Sequence, residues 1–235
     1  MDFAKATVFI PNIAAGLPFR PASLPFAMSL ITPVLVRGIN NLSDARYCAG
    51  MGAEYLTFRL DPALPGHLQP AAVQELSGWV AGVQLVGEFD TLPVEQINEL
   101  AQACRLDYVL LHRRRPAEEL ARLVVPALKL VKWIPDMLEQ DVEKRFRDQH
   151  AHVAGFVLAT PPPEPLTTMQ RAQLTSQART YKIWLGTGFA PPHSMRQLVD
   201  ELTPAGLVLE GGEEIKTGLR DFTELEAIFE QLEEE

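Results

Sequence analysis

Charged side chains stand at or just beyond the ends of the short apolar runs in this 235-residue chain. They are Arg37, Arg59, Asp61, Glu88, Asp90, Arg113, Lys129 and Glu210. A guanidinium can hold a carboxylate or a phosphate through two parallel hydrogen bonds. A carboxylate, histidine or lysine placed beside the bound group can transfer a proton. These residue types predict anion binding, acid–base chemistry, or a network of internal ion pairs.

The apolar runs are typical of strands that are buried on both faces of a parallel sheet. We predict eight of them, at residues 34–37, 55–58, 83–89, 108–112, 127–133, 153–159, 182–186 and 207–210. Amphipathic segments follow them, and capping or first-turn residues such as Asp136, Thr167 and Asp221 mark helix starts. Eight such units over roughly 200 residues predict a single (β/α)8 barrel. A doubly wound open sheet is the alternative.

The first 32 residues differ from the rest of the chain. Pro11, Pro18, Pro21 and Pro25 interrupt each apolar stretch before a helix or strand can form. We therefore expect an irregular N-terminal extension over residues 1–32 and a barrel over residues 33–235. Met28 precedes the first strand closely, which leads to the hypothesis that residues 1–27 lie upstream of the native start.

Composition argues against several classes of partner and site. The formal net charge of −9 opposes binding to nucleic acid or anionic lipid. No apolar run reaches the roughly 18 residues that cross a bilayer. Cys48 and Cys104 show neither CxxC spacing nor a neighbouring histidine cluster. We expect a cytoplasmic protein without disulfides, metal or cofactor, and the oligomeric state stays open.

The residues from 34 to 45 resemble the first strand, turn and helix of phosphoribosylanthranilate isomerase, a family of tryptophan synthesis. Similar stretches follow in the family's order: Gly52-Ala53-Glu54-Tyr55-Leu56, Val86-Gly87-Glu88-Phe89, Leu106-Asp107-Tyr108-Val109-Leu110-Leu111-His112 and Pro126-Ala127-Leu128-Lys129. The resemblance implies a (β/α)8 barrel. It also implies an Amadori rearrangement, which turns a phosphoribosylamine into an aminoketose and needs an acid and a base.

The resemblance also implies which positions should react, and these positions differ here. The family's general base is a cysteine at the end of the first strand, where this chain has Arg37. Its general acid is an aspartate near the end of the sixth strand, where this chain has Ala159. Arginine keeps its proton at any accessible pH, and alanine has none to give. The resemblance therefore implies a barrel that has lost the isomerase activity and is lapsed or repurposed for anion binding.

An active enzyme that uses substitute residues is the alternative. It would be a phosphoribosylanthranilate isomerase or a related aldose–ketose isomerase. Glu88 or Asp90 would act as the base, and His112 or Lys129 would act as the acid.

Two groups of residues are candidates for binding a small anionic or sugar-phosphate ligand. In this fold a phosphate is usually held by backbone N–H groups of the loops after strands seven and eight. Four glycines stand there: Gly186, Gly188, Gly211 and Gly212. They would permit close approach of a phosphate, or they make tight turns and nothing else.

Arg37, Arg59 and Lys129 form the second group, as a cationic pocket at the barrel mouth. In the competing interpretation, Arg37 pairs with Glu88 or Glu210 and the mouth is plugged. The run Arg113-Arg114-Arg115 is either a solvated loop or a surface that docks an acidic partner.

Overall fold

The computed structural model describes residues 29–132, 143–159, 165–211, 214–216 and 219–234. Eight parallel strands close into a barrel in which each strand pairs with the next and β8 pairs with β1. They are β1 Val34–Arg37, β2 Tyr55–Arg59, β3 Gln84–Phe89, β4 Tyr108–Leu111, β5 Ala127–Leu130, β6 Gly155–Leu158, β7 Ile183–Gly186 and β8 Gly206–Glu210. The closed ladder confirms the predicted (β/α)8 barrel and excludes the open sheet.

Helices separate the strands. They are α1 Leu42–Gly50, α2 Pro70–Ser77, α3 Val94–Ala103, α4 Ala117–Leu120, a π-helical turn Glu143–Arg147 that leads into α5 Asp148–His150, α6 Thr168–Thr180, α7 Met195–Leu202 and α8 Thr223–Leu232. A short antiparallel pair, β9 Glu214–Lys216 and β10 Leu219–Arg220, follows β8. None of these helices is long and apolar enough to cross a membrane.

Side-chain hydrogen bonds to the backbone lie at the starts of two of the helices. Thr167 accepts the backbone N–H of Gln170, and the Gln170 side chain accepts the backbone N–H of Thr167, so α6 starts where the sequence predicts. At α8 the Asp221 side chain accepts the N–H of Thr223, and the helix begins two residues after the predicted position. The predicted start at Asp136 lies outside the described residues.

Several predicted strands are longer than the observed ones. β5 ends at Leu130 rather than 133, and β6 spans Gly155–Leu158 rather than 153–159. The N–H of Val131 still donates to Val157, and the N–H of Ala154 donates to Ala127. Among the described residues, the paired ladder does not continue past these single bonds. The predicted end of β5 at Trp133 lies outside the described residues.

Side chains alternate between the barrel axis and the surrounding helices. One buried cluster fills the axis: Leu35, Tyr55, Val86, Leu110, Leu128, Val157, Trp184 and Val208. Outward residues such as Val36 and Leu56 belong to the larger core between strands and helices. Because the period is two, Arg37, Thr57 and Glu88 lie one layer above the apolar axis, towards the carboxyl ends of the strands.

Residues just before β1 are fastened to the end of the chain. The N–H of Ile31 donates to Leu232, and the N–H of Glu234 donates to Ser29. Residues 1–28 lie outside the described residues. The division into an extension and a barrel at residue 33 therefore stays a prediction.

Gly206 tests how tightly the barrel axis is packed. A Cβ at this position would lie 2.4 Å from the Trp184 ring and 2.6 Å from the carbonyl oxygen of Pro33. We expect Gly206→Ala to lower the free energy of unfolding by about 1 to 3 kcal/mol, because ring or backbone must shift to make room. Urea unfolding monitored by circular dichroism measures the change.

Gly50→Ala is the matched control for this substitution. Nothing lies within 4 Å of a Cβ at Gly50, which ends α1. Alanine favours a helix over glycine by about 0.5 to 1 kcal/mol, so the control should be as stable as the wild type or slightly more stable. Equal stability of the two variants would contradict the packing account.

Candidate functional site

Arg37 is held at the end of β1 by two carboxylates. Its Nε lies 3.1 Å from Oε1 of Glu88 and its Nη2 lies 2.7 Å from Oε2, which is a bidentate contact. Its Nη1 donates to Oε1 of Glu210 at 2.8 Å. Arg37 is 8% exposed and Glu88 is fully buried, whereas about half of the Glu210 side chain is exposed. The Arg37 charge is therefore neutralised inside the barrel.

Glu88 is the centre of this arrangement. Thr57 Oγ1 donates to its Oε1 at 2.5 Å, and His112 Nε2 lies 2.9 Å from its Oε2. Burial raises the pKa of Glu88, but hydrogen bonds from His112, Arg37 and Thr57 and the charge of Arg37 outweigh burial and lower the pKa to about 2. An ionised carboxylate only accepts hydrogen bonds, so Nε2 of His112 carries a hydrogen. We call Arg37, Thr57, Glu88, His112 and Glu210 the mouth cluster.

Lys129 does not belong to the mouth cluster. Because Leu128 and Leu130 face the axis, Lys129 faces the helices. Its Nζ donates to the carbonyl oxygens of Leu111, His112 and Leu130 at 3.3, 2.6 and 2.9 Å, which uses its three hydrogens. Burial lowers its pKa to about 8, so the amine stays protonated at neutral pH. Lys129 ties the ends of β4 and β5 together.

Arg59 and Asp61 organise the loop after β2. Arg59 Nη1 donates to the carbonyl oxygen of Pro65 at 3.1 Å. Asp61 is fully buried and accepts four backbone N–H groups, from Ala63 and from residues 90–92. Burial raises the pKa of Asp61, but these four hydrogen bonds outweigh it and lower the pKa to about 2. Asp61 therefore joins the loops after β2 and β3 as a permanent anion.

Asp90, the other carboxylate proposed as a base, pairs with Arg113. The Nε of Arg113 donates to its Oδ1 at 2.9 Å, and the Arg113 side chain is mostly exposed. The pair lies on the loops after β3 and β4, and no hydrogen bond links it to the mouth cluster among the described residues.

The glycines of the predicted phosphate site differ in what they can offer. Gly186 ends β7, where a Cβ would lie 2.8 Å from the carbonyl oxygen of Ala159. Gly188 is the exposed residue of a 3-10 turn, Thr187–Phe189, whose Phe189 is buried. The N–H of Gly211 donates to the carbonyl oxygen of Arg37 at 2.8 Å, so it extends the β1–β8 ladder. Gly212 lies outside the described residues.

Thr57 is the member of the mouth cluster that the sequence predictions missed. It stands two residues after Tyr55, so the alternation of β2 places it on the same inward face. That alternation was the available signal. Among the described residues, no group of three or more His, Cys, Asp or Glu side chains could hold a metal ion.

Residues 34–231 match the profile of the family described as N-(5'phosphoribosyl)anthranilate (PRA) isomerase. The chain is 28% identical over 195 residues to N-(5'-phosphoribosyl)anthranilate isomerase of Geobacter metallireducens, which covers 80% of this chain and 92% of the relative. It is 26% identical over 198 residues to the protein of the same name from Geobacter sulfurreducens, with the same coverage of 80% and 92%.

Solved structures of the same name share the fold. Phosphoribosyl anthranilate isomerase from Thermus thermophilus superposes with a TM-score of 0.69 at 23% identity, covering 86% of this chain and 98% of the other. A phosphoribosyl anthranilate isomerase in complex with reduced 1-(O-carboxyphenylamino)-1-deoxyribulose 5-phosphate gives 0.71 at 21% identity, with the same coverage. At these identities the superpositions show the fold alone.

Glu88→Gln tests the energetics of the mouth cluster. The amide keeps the shape of the side chain but leaves Arg37 with Glu210 as its remaining carboxylate. We expect the free energy of unfolding at pH 7 to fall by about 3 to 5 kcal/mol, because a buried cation loses its buried counter-ion. Urea unfolding of wild type and variant measures the difference.

The pH dependence of that difference has a definite sign. The folded pKa of Glu88 lies below its ordinary value of 4.5, so the stabilisation is complete above about pH 4.5 and is lost as the pH falls towards 2. Glu210→Gln is the control, and it should cost less than about 1 kcal/mol because that carboxylate is half-exposed. A gap between wild type and Glu88→Gln that stayed constant from pH 7 to pH 3 would contradict this assignment.

Proposed function

The chain belongs to the phosphoribosylanthranilate isomerase family, and from this premise we propose that it is a member without the isomerase activity. Its barrel mouth is closed by an ion pair where the family chemistry needs an acid and a base. The barrel then serves as a non-catalytic binding protein of the cytoplasm.

One observation carries this proposal. The resemblance places the family's general base at Arg37, and the Arg37 guanidinium is bound bidentately by Glu88 at 2.7 and 3.1 Å. Arginine cannot accept a proton at neutral pH. At the position of the base, this chain therefore has a guanidinium that cannot accept a proton and that Glu88 holds in a fixed orientation.

The substitute residues are committed to other contacts. A general base works best when its pKa lies near the working pH, whereas the pKa of Glu88 is about 2. Asp90 is paired with Arg113. Of the two candidate acids, Lys129 donates all three of its ammonium hydrogens to backbone carbonyls. These commitments support an inactive site over an active one with substitute residues.

His112 favours the alternative, an active isomerase. A fifth of its side chain is exposed, and its Nε2 lies 2.9 Å from Glu88. A histidine that a carboxylate orients is a common acid–base group. In this second candidate function His112 transfers the proton, while Glu88 orients it and Arg37 binds an anionic group of the substrate.

A small anion at the mouth would have to compete with Glu210. Arg37 carries one positive charge and already contacts two carboxylates, of which Glu210 is half-exposed and bound through one hydrogen bond. A ligand carboxylate or phosphate that displaced Glu210 would take Nη1 of Arg37. The phosphate-bearing ligand of one structural neighbour is a reasonable probe of this exchange.

Complementation of a tryptophan auxotroph that lacks its isomerase tests the proposal. The wild-type chain should give no growth, since loss of a positioned acid or base alone removes about 10²- to 10⁴-fold in rate. The isomerase of Geobacter metallireducens, expressed in the same way, is the positive control. Growth with the wild-type chain would overturn the proposal.

Two variants then separate the candidate functions. His112→Asn would abolish growth or measured turnover if the histidine transfers the proton, and it should change neither if the barrel is inactive. Arg37→Cys combined with Ala159→Asp restores the residue types that the resemblance implies for base and acid. Turnover gained by this double variant, measured by the change in substrate fluorescence, would support the assignment of the two positions.

A further inference from the structure

A basic cleft lies outside the barrel mouth, between the loop after β4 and the π-helical turn that leads into α5. Its volume is about 360 Å³. Of the described residues that line it, five are basic and none is acidic: Arg114, Lys129, Lys132, Lys144 and Arg145. The whole chain has a formal charge of −9, so the described lining of this cleft is more basic than the chain as a whole.

Two of these cations are available to a ligand. Lys132 and Lys144 are exposed, and neither ammonium group has an ion-pair or hydrogen-bond partner among the described residues. Arg145 Nη1 donates to the carbonyl oxygen of Lys132 at 3.1 Å, which holds its guanidinium at the cleft. Lys129 contributes charge but no free hydrogen, because backbone carbonyls take all three.

Arg114 closes one side of the cleft. Its Nη2 donates to Oδ2 of Asp148 at 2.8 Å, and both side chains are about half exposed. Such an exposed pair is weak and screened by salt. The Arg114 guanidinium can therefore remain paired with Asp148 and donate its other N–H groups to a bound anion.

The backbone at the cleft gives an independent indication. Lys144 and Arg145 lie on the π-helical turn Glu143–Arg147. Single π-helical turns are uncommon and are frequently found at functional sites. The turn and the loop after β4 are joined by Gln149, whose Nε2 donates to the carbonyl oxygen of Arg115 at 2.8 Å. The walls of the cleft are thus fixed relative to each other.

We propose that this cleft binds a small molecule that carries a phosphate or pyrophosphate group. Lys132 and Lys144 supply point charges, and the guanidinium of Arg145 supplies directed donors. The volume lies in the range of small-molecule sites, and the overall negative charge opposes long polyanions such as nucleic acid. The site is separate from the mouth cluster, because none of the described residues that line the cleft belongs to that cluster.

A titration of the ¹⁵N-labelled full chain with inorganic pyrophosphate at low ionic strength tests the proposal. We expect saturable shifts of the amide signals of residues 130–132 and 144–149. In the double variant Lys132→Glu/Lys144→Glu the affinity should fall by at least about tenfold, since two attractions become repulsions. Both side chains are exposed, so the fold should be unaffected, and circular dichroism checks this.

Arg179→Glu/Lys182→Glu is the matched control. It changes the net charge by the same amount at exposed positions near the end of α6 and the start of β7. The control should bind pyrophosphate as the wild type does. A parallel titration with ribose 5-phosphate distinguishes the two sources of the group: tighter binding of the ester assigns the cleft to a phosphorylated metabolite, and tighter binding of pyrophosphate assigns it to the free anion.

Three results would overturn the proposal. One is the absence of saturable binding of both probes by the wild-type chain. Another is equal weakening in the two double variants, which would show a general effect of net charge. The third is a set of shifts centred on Gly188 and Gly211, which would place the bound anion at the loops after β7 and β8.

Discussion

The bidentate pair of Arg37 and Glu88 is the interaction on which the barrel mouth depends. Removing two charges from water costs several kcal/mol for each ion, and their attraction offsets this cost only when the remaining hydrogen-bonding capacity is satisfied. Thr57 and His112 satisfy Glu88, and Glu210 satisfies the third nitrogen of Arg37. The pair therefore recruits residues from or next to the ends of β1, β2, β3, β4 and β8.

In the proposed inactive barrel, the same pair both stabilises the mouth and prevents proton transfer there. A catalytic base must exchange its proton near the working pH, so its charge must be only partly compensated. In the mouth cluster the Glu88 carboxylate accepts four hydrogen bonds and has a pKa of about 2. The Arg37 guanidinium contacts two carboxylates, those of Glu88 and Glu210. Because each charge is neutralised by its partners, Glu88 stays ionised and Arg37 stays protonated. Such a cluster stabilises the barrel but is poorly suited to proton transfer.

Much of this arrangement was predictable from the sequence. The spacing of apolar runs predicts all eight strands, and one of the two interpretations of the barrel mouth paired Arg37 with Glu88 or Glu210. The position of Lys129 was not, because a strand end alone does not tell which face looks inward, and Leu128 and Leu130 take the inward places. The four N–H groups around Asp61 come from the backbone of two loops. No side-chain pattern reports such a site, and the π-helical turn has no distinctive periodicity either.

The mouth cluster and the basic cleft differ in how much positive charge remains uncompensated and accessible to a ligand. In the mouth cluster, two carboxylates surround one guanidinium at contact distance, and a ligand meets little uncompensated positive charge there. At the basic cleft, the ammonium groups of Lys132 and Lys144 are exposed and have no counter-ion among the described residues. Water and salt screen these charges but do not cancel them. At the proposed cleft site an anion would meet these ammonium groups directly, whereas at the mouth it must first displace Glu210.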